Sequence, residues 1–440
     1  MPPPAGTEIR AVCAAPLPPV GVRSFALSDA APSRPAQAKS TQIIETAFYS
    51  AAVDATTGAL VSLKVKPSGT ELLGGPANLL LAETVAETES SPEHFMQVRP
   101  KRRQLELASE ECSAPPRRAF EDNFPLGIRV YSGRMATVVQ STSAFCGDSR
   151  VERTMTFYRV HPRIDFETRL DLRKDNVLVT VDFPLAGDPV ERSRGIPFGY
   201  SSGQPRRGDH AILPSIRWSN YQLAGGAGLA LLDRGLTGHE LNGRTVTLAL
   251  VNAVVHYMKK PNDILRGQSG ARAASYVRFY KEFSYALVPH AGSWQDADIA
   301  RRAWEFNSPP VVLTGTGNAS TEGMLETSDN VIVEAIRRVG RQVELRLVES
   351  KRSADTAQIT LRLPHRGAAL TNMMGEKPQA LAGGPTYKFP IRAQQIVTLR
   401  LDAPSAVPAP ALVRDWSSLA PLVKREALKQ RIQEKGHPGR

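Results

Sequence analysis

Alternation of apolar and polar residues at every second position is the feature of this 440-residue chain that most limits its fold. In the segment RIDFETRLDL, the apolar residues Ile164, Phe166, Leu170 and Leu172 alternate with charged ones. Successive side chains of a β-strand point to opposite faces, so this segment predicts a strand with one buried and one solvent-facing side. The same period recurs in five further sets: Ala59, Val61, Leu63, Val65; Val246, Leu248, Leu250; Val343, Leu345, Leu347; Ile359, Leu361, Leu363; and Val397, Leu399, Leu401.

Helical periodicity is rare by comparison. It occurs in WQDADIARRAWEFN at 294–307 and again near 418–435. Many strands, few helices and no regular strand–helix alternation are typical of antiparallel sandwiches and not of a parallel sheet. We therefore predict an all-β chain, with a large antiparallel β-sandwich followed by a smaller β-sandwich and few helices.

Composition predicts the domain boundaries. Residues 1–40 are rich in Pro, Ala and Ser and predict a linker-like segment. Residues 41–308 predict one large sandwich, and the Pro-marked junction FNSPPVV separates it from a small sandwich over 311–402. Residues 403–440 predict a Pro/Ala linker and an amphipathic helix that docks on the sandwich. The apolar side of that helix comprises Trp416, Leu419, Ala420, Val423 and Ala427.

The net charge of +12 and the pI of about 9.7 would suit a negatively charged partner. However, the basic residues are dispersed, and the aromatic residues do not interleave with a basic stripe as a base-stacking surface requires. We therefore expect no nucleic-acid partner. No apolar run approaches the roughly 18 residues of a membrane helix, and no secretory signal pattern is present. We expect no membrane partner, and a cytoplasmic location is favoured while the compartment stays open.

Short motifs for metal and phosphate chemistry are missing from the sequence. Neither H-E-x-x-H nor a phosphate-binding P-loop occurs, and the eight histidines are scattered singly. The three cysteines, Cys13, Cys112 and Cys146, are far apart and predict neither a disulfide framework nor a zinc site. One stretch stays open on these grounds: RGIPFGYSSGQPRRG at 194–208 could be a phosphate loop, a basic nucleic-acid contact or a strand end.

Six segments in chain order form a recognisable series. They are FYSAAVDATTGALVSLKVKPSGTELLGGPANLLLAE, NVLVTVDFPLAGDPVERSRGIPFGY, GLALLDRGLTGHELNGRTVTLALV, FSYALVPHAGSW, VIVEAIRR with VELRLVESKR, and TNMMGEKPQAL. Over about residues 40–402 the series resembles glycoside hydrolase family 38, the α-mannosidases, in the region after their catalytic barrel. The resemblance implies that the large sandwich is a galactose mutarotase-like supersandwich. It also implies that 194–208 is a strand end and β-turn, with Pro197 and Gly199 setting the backbone geometry and Arg206 and Arg207 in solvent.

The resemblance further implies where catalysis resides. In this family the nucleophilic Asp and the zinc ligands, two His and two Asp, lie on an N-terminal barrel, and no matched position of this chain carries those roles. We expect no catalytic residue, metal ligand or cofactor in this chain, with zinc only in a separate catalytic barrel. The implied function is the non-catalytic C-terminal part of an α-mannosidase-like glycoside hydrolase. The alternative is a stand-alone carbohydrate-binding or interaction module without hydrolase activity. The expected partners are weakly bound, mannose-type carbohydrate and a separate catalytic barrel.

One strand of the family's C-terminal region reaches the active-site rim through basic residues at its end. The corresponding strand here reads LALVNAVVHYMKK, so Asn252 and Ala253 stand where the family shows Arg. The nearest polar residues are His256 and Tyr257. We therefore predict Asn252, His256 and Tyr257 as substrate-rim residues.

Overall fold

A computed structural model describes residues 21, 23–25, 36–37, 40–85, 102–103, 127–145, 149–173, 177–205, 213–252, 279–311 and 323–402. These residues form antiparallel β-strands and one α-helix, which confirms the predicted all-β class. Among them, no helix is both long and apolar enough to cross a membrane. The predicted C-terminal helix, the three cysteines, and Arg206 and Arg207 lie outside the described residues.

The strands are numbered in chain order. The first ten are β1 (Ala36–Gln37), β2 (Gln42–Glu45), β3 (Tyr49–Val53), β4 (Leu60–Val65), β5 (Thr70–Glu71), β6 (Leu79–Val85), β7 (Arg102–Arg103), β8 (Gly127–Ser132), β9 (Ala136–Phe145) and β10 (Ser149–Tyr158). The next ten are β11 (Ile164–Leu172), β12 (Val177–Pro184), β13 (Pro189–Ile196), β14 (Gly199–Gly203), β15 (Leu213–Pro214), β16 (Trp218–Leu223), β17 (Ala227–Asp233), β18 (Gly238–Asn242), β19 (Thr245–Asn252) and β20 (Phe279–Ala291). Helix α1 (Ile299–Asn307) follows, and then β21 (Leu325–Thr327), β22 (Val331–Val339), β23 (Gln342–Glu349), β24 (Asp355–Leu361), β25 (Ala368–Thr371), β26 (Gln379–Leu381), β27 (Thr386–Ile391) and β28 (Ile396–Asp402).

Three sheets build the larger sandwich. The described strands of the largest sheet run in the order β1-β8-β9-β10-β11-β20-β17-β16-β13-β14. One face of this sheet shares a hydrophobic core with the sheet β15-β18-β19-β12-β6-β7 and with the sheet β2-β3-β4-β5. Strand β11 alternates strictly between buried and half-buried residues, as its sequence predicts. Its Phe166 stacks on Tyr285 of β20, with ring centroids 5.4 Å apart, at the centre of this core.

Helix α1 covers the opposite face of the largest sheet. All seven residues of β17 are buried, because Leu229 and Leu231 face the sandwich core while Ala230 and Leu232 face the helix. The helix begins at Ile299, five residues later than the sequence predicts. Turns occupy the preceding residues, and Asp298 has a left-handed φ of 53°, which interrupts the helical backbone there.

A second, smaller pair of sheets follows α1. The sheets β21-β24-β27 and β22-β23-β28-β25-β26 enclose their own hydrophobic core. Helix α1 joins this pair to the large sandwich: Nη2 of Arg301 donates hydrogen bonds to the carbonyl oxygens of Ser328, Asp329 and Val331, at 3.0–3.3 Å. Helix α1 also contacts the large sandwich, because the guanidinium of Arg217, just before β16, lies 3.7 Å from the ring centroid of Trp304.

Candidate functional site

The described residues test the predicted rim only in part. Asn252 is the last residue of β19, and its Cα pairs with Leu178 of β12. The structure describes its backbone and not its side chain. Ala253, His256 and Tyr257 lie outside the described residues. The substrate-rim assignment of Asn252, His256 and Tyr257 therefore stays a prediction.

A groove of about 790 Å³ opens where the two main sheets of the large sandwich end. The largest sheet ends at β13 and β14, and the sheet that faces it ends at β15 and β18. We call the opening the arginine groove. Its lining residues are Asp188, Pro189, Arg192, Arg194, Ser201, Ser202, Gly203, Gln204, Pro205, Leu213, Leu241, Gly243 and Arg244. The volume lies within the range of about 300–1,000 Å³ that is usual for small-molecule sites.

The described part of the segment 194–208, residues 194–205, supplies one wall of this groove. Residues Pro197 and Phe198 connect β13 to β14, so this part of the segment is a strand end and a tight turn, as expected. The residue with positive φ is Phe198, at 55°, and not Gly199. Proline fixes φ at the first central position of such a turn and positive φ follows at the second, which is the pattern of a type II turn.

Glycine is required at position 195 of the same hairpin. A Cβ there would lie 2.2 Å from the carbonyl oxygen of Ile216 and 2.9 Å from Nε1 of Trp218. Only a residue without a side chain allows β13 to approach this neighbouring segment so closely. Gly195 thereby lets β13 pack closely against the segment that leads into β16.

Arg192 and Arg194 stand two residues apart on β13 and therefore point to the same side of the strand. Nη2 of Arg192 donates to the carbonyl oxygen of His239, at 3.2 Å. Arg194 donates through Nη1 to the carbonyl oxygen of Pro214. At the mouth of the groove Arg244 binds Asp188 through two parallel bonds of 2.9 and 3.1 Å, in a largely exposed pair. The lining thus contains three arginines and one aspartate.

Hydroxyl groups lie on both faces of the hairpin. On the face opposite the two arginines, Ser193 is fully buried, lies 2.8 Å from the hydroxyl of Ser202 and donates to the carboxylate of Glu191 at 2.7 Å. Ser201 and Gln204 are exposed at the groove. The groove therefore offers guanidinium, hydroxyl and amide groups, which suit a ligand rich in oxygen acceptors and hydroxyls.

A buried chain of hydrogen bonds lies beneath Arg192. Nε2 of His239 is 3.1 Å from Oδ2 of Asp233 and 3.1 Å from the carbonyl oxygen of Leu236. Since both neighbours are acceptors, Nε2 carries a proton. Nδ1 lies 2.8 Å from the hydroxyl of Ser219, which in turn donates to the hydroxyl of Tyr221 at 3.2 Å. Burial raises the pKa of Tyr221.

The set Ser219, His239 and Asp233 has the composition of a nucleophilic hydrolase triad. Each of the three residues is at most 1% exposed, so a substrate cannot reach the Ser219 hydroxyl in this structure. Oδ1 of Asp233 also accepts the backbone N–H of Leu236, at 3.0 Å. These contacts hold the segment that leads from β17 into β18, and thereby one side of the groove. Sequence reasoning missed the set because the three residues belong to different strands and match no motif.

A second histidine belongs to the PHAGSW stretch at 289–294. Burial lowers the pKa of His290 to about 4. Its Nε2 lies 2.7 Å from Oδ1 of Asn220, and its Nδ1 lies 3.2 Å from the carbonyl oxygen of Gly292. Across the sheet a Cβ at Gly228 would lie 2.3 Å from Cε1 of His290. This histidine therefore packs within the sheet, where Gly228 makes room for its ring.

One cation is enclosed inside the large sandwich itself. Arg153 on β10 is 7% exposed, and its Nε and Nη1 have no hydrogen-bond partner in the described part of the chain. Nη2 reaches the hydroxyl of Ser143 at 3.5 Å. Burial lowers the pKa of Arg153, and the nearby Tyr285 opposes that shift. Arg153 is thus a poorly compensated buried charge.

The described residues do not fit a zinc ion. They contain no group of three or more His, Cys, Asp or Glu side chains placed to hold a metal.

Paired antiparallel sheets with a groove at their open end place the described chain among the β-sandwich proteins. Within that class, residues 44–260 match the model of the glycosyl hydrolases family 38 C-terminal domain, which confirms the resemblance found in the sequence. The chain is 26% identical over 234 residues to alpha-mannosidase 2C1 of Homo sapiens, and 25% identical over 233 residues to that of Mus musculus. Each match covers 49% of this chain and 20% of the relative.

Solved structures give the same result for the fold. An alpha-mannosidase from Enterococcus faecalis V583 superposes with a TM-score of 0.60 at 13% identity, over 85% of this chain and 43% of that one. A glycosyl hydrolase family 38 protein from Enterococcus faecalis gives a TM-score of 0.57 at 14% identity, over 86% of this chain and 45% of that one. Residues 44–260 are thus similar to the glycosyl hydrolases family 38 C-terminal domain, and the chain spans less than half the length of these relatives.

Proposed function

We propose that this chain is the non-catalytic C-terminal sandwich part of an α-mannosidase-like glycoside hydrolase. Hydrolysis of α-mannosidic bonds then requires a catalytic barrel supplied elsewhere. The observation that carries the proposal is the match of residues 44–260 to the family's C-terminal domain, together with the superposition on an alpha-mannosidase over 85% of the chain.

The chemistry of glycoside hydrolysis supports the separation of a non-catalytic sandwich part from a catalytic barrel. A retaining glycosidase holds two carboxyl groups about 5–5.5 Å apart, one as nucleophile and one as acid and base. Such enzymes must lower the barrier by more than about 8 kcal/mol, mostly through fixed electrostatics around the reacting atoms. The arginine groove contains a single carboxylate among its lining residues, that of Asp188, and Arg244 binds it. The groove can therefore contact a sugar but lacks a carboxylate pair.

Incubation of the purified chain with an aryl α-mannoside tests the proposal, with zinc added in one arm and a chelator in the other. We expect no release of the aryl group in either arm. We expect release when a separately produced family 38 catalytic barrel is added, and a higher melting temperature of that barrel when this chain is present. Chelator-sensitive release by the chain alone would overturn the proposal. An Asn252→Arg variant tests the rim: we expect it to change KM of the assembled enzyme.

A stand-alone carbohydrate-binding module is the second candidate. The arginine groove favours it, because a cavity of about 790 Å³ lined by hydroxyl, amide and guanidinium groups can hold a sugar without any catalytic partner. We expect mannose to bind weakly, with Kd near ~1 mM, equivalent to about −4 kcal/mol. Calorimetric titration of the isolated chain with mannose measures this affinity directly.

A further inference from the structure

We propose that the arginine groove selects a saccharide that carries an anionic group, either a phosphate or a carboxylate. The saccharide part of this inference rests on the carbohydrate binding proposed above, whereas the anionic part rests only on the groove. The ligand's charged group would lie between Arg192 and Arg194, and its hydroxyls would face Ser201 and Gln204.

Charge in the groove is unbalanced. Among the described residues, three guanidinium groups and one carboxylate line it, and that carboxylate already binds Arg244. Arg192 and Arg194 face the groove from one side of β13. They donate to backbone carbonyl oxygens, those of His239 and Pro214, which do not neutralise a cation. An anion is the partner that would complete the electrostatics here, because hydrogen bonds between ionised groups are about twice as strong as neutral ones.

These arginines have spare hydrogen-bond donors. A guanidinium carries five N–H donors in a planar fork that matches phosphate and carboxylate oxygens. Within the described residues, the buried Nε of Arg192 has no hydrogen-bond partner. The hydrogen bonds of Arg194 in the same part of the chain use only Nη1. Two strand positions that differ by two residues place these forks roughly 7 Å apart at the backbone, close enough to share one anionic group.

The guanidinium of Arg192 is held rigidly. Arg192 is anchored to the carbonyl of His239, and His239 is held in turn by Asp233 and Ser219. The guanidinium of Arg192 also lies 5.8 Å from the ring centroid of Tyr221. A cation held in place before the ligand arrives loses little side-chain entropy on binding. The buried chain beneath the groove thus has a role in positioning Arg192.

The described lining residues include no aromatic side chain, so among them no flat apolar face is available on which a neutral sugar ring could stack. Hydroxyl and amide groups from the β13–β14 hairpin provide donors and acceptors for sugar hydroxyls instead. The lining suits a polar ligand held mainly by its charge.

Calorimetric titration with four probes tests the proposal: D-mannose 6-phosphate, D-mannuronate, D-mannose and inorganic phosphate. We expect the two charged sugars to bind at least about tenfold more tightly than mannose, since one charge-assisted contact is worth about 1.4 kcal/mol or more. The stronger of the two identifies the anionic group. Equal affinity for mannose and the charged sugars would overturn the anionic part. Equal affinity for inorganic phosphate and mannose 6-phosphate would overturn the saccharide part.

Variants locate the site. Arg194→Gln should weaken binding of the preferred charged sugar about tenfold. Asp188→Asn should tighten it about two- to fivefold, because the variant releases Arg244. Arg338→Gln is the matched control: Arg338 is exposed, and its Nε also donates to a carbonyl oxygen, that of Gly340, on the small sandwich. An equal loss in Arg338→Gln would show that overall charge and not the groove binds the ligand. These titrations need no hydrolysis, so their failure is distinct from failure of the mannoside assay.

Discussion

Nε2 of His239 lies 3.1 Å from Oδ2 of Asp233, and both side chains are sealed from solvent. The contact ties the last residue of β17 to the second residue of β18. It also supports the groove, because the carbonyl oxygen of His239 accepts a hydrogen bond from Arg192. A single imidazole therefore links the core of the large sandwich to its open end.

Removal of this imidazole should destabilise the protein strongly. In His239→Ala the carboxylate of Asp233 stays buried and loses its side-chain partner, which costs about 3–5 kcal/mol. Urea denaturation measures the loss. His365→Ala is the control, because His365 is only half-buried, and we expect it to cost about 1 kcal/mol. Equal losses in the two variants would show that the Asp233 contact has no special weight.

Gly228→Ala should also destabilise the fold, through a different cause. The added methyl would lie 2.3 Å from Cε1 of His290, and overpacking of this kind costs about 1–3 kcal/mol. A second substitution, His290→Ser, removes the obstructing ring. We expect the double variant to be more stable than the sum of the single losses predicts, as a double-mutant cycle measures. Strict additivity would contradict the packing argument.

Acid should destabilise the protein through His290. Its pKa is about 4 in the folded state, against a value of about 6.5 for an unperturbed histidine, so the unfolded chain binds this proton first. The contribution of neutral His290 is complete above pH 6.5 and is lost as the pH falls towards 4, at most about 3 kcal/mol. His290→Gln should flatten the curve of unfolding free energy against pH in this range. Burial is also the main cause that lowers the pKa of His161 to about 4. A substitution of His161 therefore provides the comparison for the pH dependence of the unfolding free energy.

Arg153→Met should stabilise the large sandwich. The substitution keeps a long side chain and removes a buried cation that has no carboxylate partner among the described residues. Replacement of buried charges by apolar residues of similar size is often neutral or stabilising by about 1–4 kcal/mol. Thermal unfolding measures the change. Arg169→Met on the next strand is the control, since its exposed pair with Glu282 is worth less than about 1 kcal/mol. A lower melting temperature in Arg153→Met would contradict the prediction.

Local sequence patterns predicted the strands well, because the period of two acts within one strand. The burial of Ile164, Phe166, Leu170 and Leu172 follows directly from that alternation. The sequence also predicted a β-turn in the stretch that contains residues 197–198. The assignment of positive φ to Phe198 was not, because its side chain gives no local signal for it.

The candidate site could not be predicted in the same way. Asp188 and Arg244 are 56 residues apart, and the groove exists only because β13 and β18 end at the same side of the sandwich. His239 meets Ser219 across two different sheets. Sequence spacing carries no information about such pairs, and tertiary packing decides them. The substrate rim at Asn252, His256 and Tyr257 stays a prediction, because His256 and Tyr257 lie outside the described part of the chain.

Arg301 makes the junction between the two sandwiches rigid. One guanidinium nitrogen of Arg301 shares its two hydrogens among three carbonyl oxygens of a single turn, so a rotation of the second sandwich would disturb several of these contacts at once. A displacement of one sandwich would therefore be transmitted directly to the other. A force applied to the smaller body would reach helix α1 and, through Phe306 and Ile299, the outer face of the largest sheet. The two sandwiches would therefore move as one rigid unit.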